Sequence, residues 1–183
     1  MNKKIMAPQC HISPLSVVYY YAVPNLWTNG GDTMKTRMNY RQANPGALST
    51  MFQLEKFINS SELDKTLIEL IKIRVSQLNG CAYCVAMHAK DLRKLGVEDE
   101  RIDLLPVWRE APVYTEAERA ALALAEAVTH ISEAGVPDAL YEQVRAHYDE
   151  TQFVTLIMVI NTINSWNRIA ISTGMFPGCD RDW

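Results

Sequence analysis

Two apolar-striped segments meet at Asn79-Gly80, and the second opens on Cys81-Ala82-Tyr83-Cys84-Val85-Ala86-Met87-His88. The first segment, from Ser61 to Leu78, reads as helix, with Leu63, Leu67, Leu70, Ile71, Val75 and Leu78 forming its stripe. Asn-Gly stops it, because both residues tolerate the left-handed conformation. A new helix is expected from Cys81 to Leu95, with Gly96 as its stop. The first thiol therefore falls at a helix N-terminus, where unpaired N–H groups and the dipole stabilise a thiolate. Cys81, Cys84 and His88 follow at i, i+3 and i+7, on one helical face.

The remaining pattern is helical from Asn39 onward. Pro45 suits the first turn of a helix reaching about Ile58. Ser61, with Asp64 three residues on, resembles a capping box for the next helix. A short helical turn covers Glu98 to Leu104 and ends at Pro106. Thr115 with Glu118 opens an alanine-rich helix to about Thr129. Pro137 starts a helix through His147, and the last helix spans about Thr151 to Ser172, closed by Gly174. Phe153, Leu156, Ile157, Ile160 and Ile163 line its inner side. No alternating strand pattern appears, so the expected fold class is all-α.

Length and charge narrow the function classes. A chain of 183 residues favours one domain with a real core. A net charge of −3 gives no support for nucleic-acid binding. No apolar run is long enough for a membrane span. Residues 1–37 differ from the rest, with Pro8, Pro14, Pro24, Gly30, Gly31 and a Val17 to Val23 apolar run. They read as an N-terminal arm, extended or forming a short edge strand, ahead of a helical domain over 38–183. Lys3 and Lys4 before apolar residues hint at a secretory signal, but no small-x-small cleavage site follows. A start at Met34 or Met38 is an alternative.

The dithiol admits three readings. Cys81 and Cys84 could be two small core residues. With His88 they could supply three ligands to zinc, although no second Cys-x-x-Cys or His-x3-His closes a structural site. Cys10, Cys179, His11, His130 and His147 are scattered. The third reading is a redox-active pair, and it accounts best for the spacing, the helix start and the in-phase histidine. A paired Cys-x-x-Cys of this kind points to a reducing compartment, hence the cytoplasm. A thioredoxin fold would require a strand before the motif, and here a helix precedes it. The helix terminus by itself favours Cys81 as the nucleophile.

The segment Leu67 to His88, LIELIKIRVSQLNGCAYCVAMH, resembles the core of the AhpD-like alkylhydroperoxidases of the carboxymuconolactone decarboxylase superfamily. The likeness continues through Trp108-Arg109-Glu110-Ala111-Pro112, Thr115 to Arg119, and Asn164-Ser165-Trp166-Asn167-Arg168. It covers roughly Asn39 to Met175. The resemblance implies an AhpD-like helical bundle, trimers or hexamers, and a peroxidase cycling between dithiol and disulfide. It implies a hydroperoxide substrate and an external dithiol reductant, with no cofactor and no metal.

Residue by residue, it makes Cys84 peroxidatic, Cys81 resolving, His88 a relay histidine and Glu69, twelve positions before Cys81, a relay glutamate. It thereby reverses the order that the helix terminus favours. Tyr83 stands where the best-known members carry a second relay histidine. Glu69, between Ile68 and Leu70, also reads by itself as a carboxylate in apolar surroundings and so as a candidate general base. An exposed glutamate paired with Lys65 or Lys72 is the alternative. Asn161, Asn164 and Asn167 form a polar line on the last helix, which could contact the active-site helix but is expected rather at a subunit interface. Arg168 beside them fits a buried carboxylate or solvent equally well. Two other functions remain in view: a decarboxylase acting on a lactone, and a non-enzymatic redox-sensing oligomer.

Overall fold

The computed structural model describes residues 34–179. The apolar run at 17–23, Cys10 and His11 lie outside them. The described residues form helices α1 (Tyr40–Ala43), α2 (Pro45–Asn59), α3 (Lys65–Leu78), α4 (Ala82–Lys94), α5 (Asp99–Asp103), α6 (Glu116–Thr129), α7 (Ile131–Ala134), α8 (Asp138–Arg145) and α9 (Glu150–Thr173). No strand occurs among these residues, so the all-α expectation holds.

Helix α3 is the centre of the bundle and packs against α4, α6 and α9. Its apolar residues point both ways. Leu67, Ile68, Ile71 and Val75 join one core with α6, α8 and α9, which also takes in both thiols. Leu70 and Ile73 join a second core with Leu92 of α4, Leu105, Trp108 and Leu122. A helix buried on both sides cannot leave its polar residues without partners. Its interior charged residues and Ser76 are accordingly paired. Lys72 reaches Glu55, Arg74 reaches Glu126, Glu69 meets His88, and Ser76 is bonded to Lys72 O and Asn167.

Several helix ends follow their sequence signals. Asn44 caps α2 ahead of Pro45, and Thr115 with Glu118 makes the expected capping box. Gly174 closes α9 in the left-handed conformation at φ 72°. A Cβ there would lie 3.3 Å from Arg37 N, whose amide donates to Thr173 O.

Other ends differ. Ser61 does not cap α3, because its hydroxyl turns back to Ile58 O at 2.7 Å and completes the end of α2. Asp64 caps instead, accepting from Leu67 N at 3.0 Å, so the helix begins at Lys65. Pro106 does not simply end α5; it starts a 3₁₀ turn over Leu105–Val107. The last helix begins earlier than expected, because Asp149 and Gln152 form a reciprocal capping box.

Candidate active site

Asn79 and Gly80 divide the turn between α3 and α4. Only Gly80 is left-handed, at φ 70°. Asn79 remains helical, and its side chain fixes the turn. Its Nδ2 donates to Asn164 Oδ1 at 2.9 Å and to Asn167 Oδ1 at 2.8 Å. Asn167 Nδ2 in turn donates to Ser76 Oγ at 3.0 Å. Asn164 and Asn167 thus bind the dithiol turn within the same chain, in place of the interface expected for them. Asn161 is exposed. Arg168 donates to Asn164 O and Oδ1, both at 2.9 Å.

The turn delivers Cys81 to the N-cap of α4, where its Sγ accepts from Cys84 N at 3.4 Å. Both cysteines are buried, and they form a disulfide with their Cα atoms 5.4 Å apart. The helix therefore starts one residue later than the sequence suggests, with the first sulfur acting as the cap.

His88 lies one turn beyond Cys84 on α4, 5 % exposed. Its Nδ1 is 2.7 Å from Glu69 Oε2 of α3. Its Nε2 is buried and has no hydrogen-bond partner among the described residues. Glu69 does not sit in the apolar setting its sequence neighbours suggest. Its other oxygen lies 3.6 Å from Lys72 Nζ, which is 2.8 Å from Glu55 Oε2 on α2. Glu55 Oε1 accepts from Trp166 Nε1 on α9 at 2.9 Å. The salt bridge to Lys72, one of the alternatives for Glu69, coexists with the histidine contact.

A cavity of about 520 Å³ opens over Cys84, His88 and Glu69. Phe52, Met87, Leu95 and Trp166 give it apolar walls, and Tyr83 lines it as well. The ligand atoms of Glu69, His88 and Asp91 fall within 4.8 Å of one another, a set a metal could use. Both carboxylates already have cations beside them, Lys72 for Glu69 and Lys94 at 2.6 Å for Asp91. The zinc set considered from sequence, Cys81, Cys84 and His88, has its two thiols tied up in the disulfide.

Sequence reasoning missed Glu55, named Lys72 only as an exposed partner for Glu69, and met Trp166 only within the family resemblance. The one local signal was a lysine on a helix with apolar residues on either side of it, a position that demands a counter-charge.

A family model for the carboxymuconolactone decarboxylase family matches residues 45–127. The YdfG protein of Bacillus subtilis (strain 168), itself uncharacterized, is 48% identical over 141 residues, which cover 77% of this chain and 96% of that one. A solved protein of unknown function from Agrobacterium tumefaciens, assigned provisionally to the antioxidant defence protein AhpD, is 46% identical. It superposes with a TM-score of 0.76 over 78% of this chain and 99% of its own. A peroxidase-related protein from Silicibacter sp. TM1040 is 26% identical, with a TM-score of 0.66 over 75% of this chain and 73% of its own. The chain belongs to the carboxymuconolactone decarboxylase family, and its fold and motif place it among the AhpD-like members. Among the described residues no helix is long and apolar enough to cross a membrane.

Proposed function

We propose that this protein is a thiol peroxidase that reduces hydroperoxides through a Cys84–Cys81 dithiol/disulfide cycle. One observation carries the reading. His88 is oriented by Glu69 through Nδ1 at 2.7 Å, and its buried Nε2 is left without a partner on the helix that bears the paired cysteines. The antioxidant assignment of the Agrobacterium tumefaciens relative supports it.

In the reduced protein Cys84 and His88, four residues apart on α4, are neighbours on one face. His88 Nε2 takes the proton from Cys84 Sγ. The thiolate attacks the terminal oxygen of the hydroperoxide and the O–O bond breaks. The alkoxide leaves and is protonated to the alcohol, and Cys84 becomes a sulfenic acid. Cys81 Sγ then attacks the Cys84 sulfur, expelling water and forming the disulfide. An external dithiol regenerates the pair by exchange. That last step requires a reducing compartment, which favours the cytoplasm. A homotrimer or homohexamer and a self-sufficient domain over 38–183 belong to the same reading.

The test is turnover of cumene hydroperoxide with dithiothreitol as reductant. Cys84→Ser should abolish it. In a single turnover without reductant, Cys81→Ser should still reduce one peroxide per site, leaving Cys84 as a sulfenic acid instead of a disulfide. If Cys81→Ser loses the first reaction and Cys84→Ser keeps it, the two roles are exchanged. Peroxide turnover that survives in the double variant would overturn the reading, and lactone turnover in it would point to the decarboxylase.

A further inference from the structure

Lys72 is the most deeply buried charged residue of the described chain, 3 % exposed, and it lies one layer behind the histidine. An ammonium can only donate. Lys72 Nζ therefore requires acceptors at Glu55 Oε2, 2.8 Å away, and at Glu69 Oε1, 3.6 Å away. Trp166 Nε1, also donor-only, requires an acceptor at Glu55 Oε1. Both Glu55 oxygens thus accept from a donor, Glu69 Oε1 pairs with Lys72 at ion-pair rather than hydrogen-bond distance, and Glu69 Oε2 faces His88 Nδ1.

An unprotonated Glu69 can only accept, so Nδ1 carries the hydrogen and Nε2 keeps its lone pair. We propose that Lys72, braced by Glu55 and Trp166, is a positioning residue that holds Glu69 as an acceptor and thereby fixes the histidine tautomer whose free Nε2 serves as the base. This rests on the thiol-peroxidase reading only for what the base does; the tautomer itself is independent of it.

The charge count makes the device directional. Glu55 on α2, Glu69 and Lys72 on α3, and His88 and Asp91 on α4 are the ionisable groups around the ion pair. Lys94 of α4 neutralises Asp91. Helix α9 contributes Trp166, which does not titrate, while Tyr40 and Arg41 of α1, Lys65 of α3 and Tyr83 of α4 line the same cavity. Removing the positive charge of Lys72 leaves Glu69 beside the imidazole, and Glu55 behind it, uncompensated, so protons are held more tightly. Removing the negative charge of Glu55 does the reverse.

The experiment compares wild type with Lys72→Met, Lys72→Arg and Glu55→Gln. It uses the pH profile of kcat/KM for cumene hydroperoxide and the ¹⁵N imidazole resonances of His88 in reduced protein. In wild type the neutral ring should show a protonated Nδ1 and a bare Nε2. In Lys72→Met the acid limb and the His88 titration should both move to higher pH by roughly one unit or more. In Glu55→Gln both should move to lower pH, and Lys72→Arg should restore the wild-type profile. A merely structural role would not move the two variants in opposite directions.

Movement in the same direction, no movement, or a neutral His88 protonated on Nε2 would overturn the proposal. If Lys72→Met does not fold, Glu55→Gln decides by the direction of its shift alone. If the wild type turns over no peroxide, the peroxidase reading fails, while the ¹⁵N titration still decides the role of Lys72.

Discussion

Replacing Asn167 by leucine tests whether the dithiol turn is held by its amide network. Asn167 is fully buried. Its side chain accepts from Asn79 Nδ2 at 2.8 Å and donates to Ser76 Oγ at 3.0 Å. Leucine keeps the branching of the asparagine side chain and is larger, so no cavity forms. Two hydrogen bonds disappear, at about 1 kcal/mol each. Asn79 keeps its bond to Asn164, but one of its N–H groups is left without an acceptor, at a further cost of about 1–3 kcal/mol. Ser76 still donates to Lys72 O, so its loss is confined to one accepted bond. The sum is roughly 3–5 kcal/mol, which for a chain of this size lowers Tm by roughly 6–20 °C. Thermal unfolding followed by circular dichroism measures it, in oxidised protein and after reduction with dithiothreitol. Asn161→Leu, an exposed position on the same helix, is the control and should stay within about 1 °C. A Tm for Asn167→Leu equal to that of the control would refute the argument, because the amides would then be satisfied equally well by water.

Other outcomes follow from the same structure. Glu69→Gln should keep the fold and lower peroxide turnover on the order of a hundredfold, because it removes the proton-accepting charge behind His88; kinetics unchanged across pH 5 to 9 would remove Glu69 from the relay. Burial works to raise the pKa of Glu126, but hydrogen bonds from Arg109, Trp108 and Arg74 outweigh it and hold the carboxyl below its ordinary 4.5. Its stabilising contribution is therefore complete above that pH and is lost as pH falls through the lower folded value, so urea midpoints of Glu126→Gln should fall less steeply with acid than those of wild type. The Tyr148 phenol is pushed up to about 12 by burial, with the charges of Glu118 and Asp64 adding to it. Being raised from 10.0, it keeps its stabilising contribution below that pH and loses it as pH rises toward 12, so Tyr148→Phe should lose less stability than wild type in base.

What the sequence discloses about this protein is mostly local. The capping box at Thr115 and Glu118, the proline at the start of α2 and the glycine after α9 are read within four residues of where they act. The dithiol, too, is a short-range signal: Cys81, Cys84 and His88 occupy one stretch of chain. Where a local signal had two solutions, packing chose. Ser61 and Asp64 both can cap, and the choice fell to Asp64 because the Ser61 hydroxyl is used by the carbonyl of Ile58. The four-residue α7 carries no period long enough to detect.

The missed contacts share a different property. Lys72 meets Glu55 across 17 positions, and Glu55 meets Trp166 across 111. Such partners are set by how α2, α3 and α9 pack, which composition and periodicity do not encode. The asparagines show the same effect. Their three-residue spacing announces a polar face, but nothing in it distinguishes a neighbouring subunit from Asn79, 85 and 88 positions earlier in the same chain.

In the proposed cycle Tyr83 stands where the best-known AhpD-like members carry a second relay histidine, and the proton balance closes with one. The proton that His88 takes from Cys84 is not lost to solvent. When the O–O bond breaks, the leaving alkoxide is the strongest base in the cavity, and the same Nε2 returns the proton to it. The imidazole is then neutral again, with Glu69 still on Nδ1. In the second half-reaction Cys81 must lose a proton and the departing hydroxide must gain one, so the proton count again closes without a second base. Each half-reaction therefore begins and ends with His88 in one state. A relay of this kind depends less on the number of bases than on keeping the tautomer fixed through both passes. A buried donor-only lysine behind the glutamate does that without exchanging a proton itself.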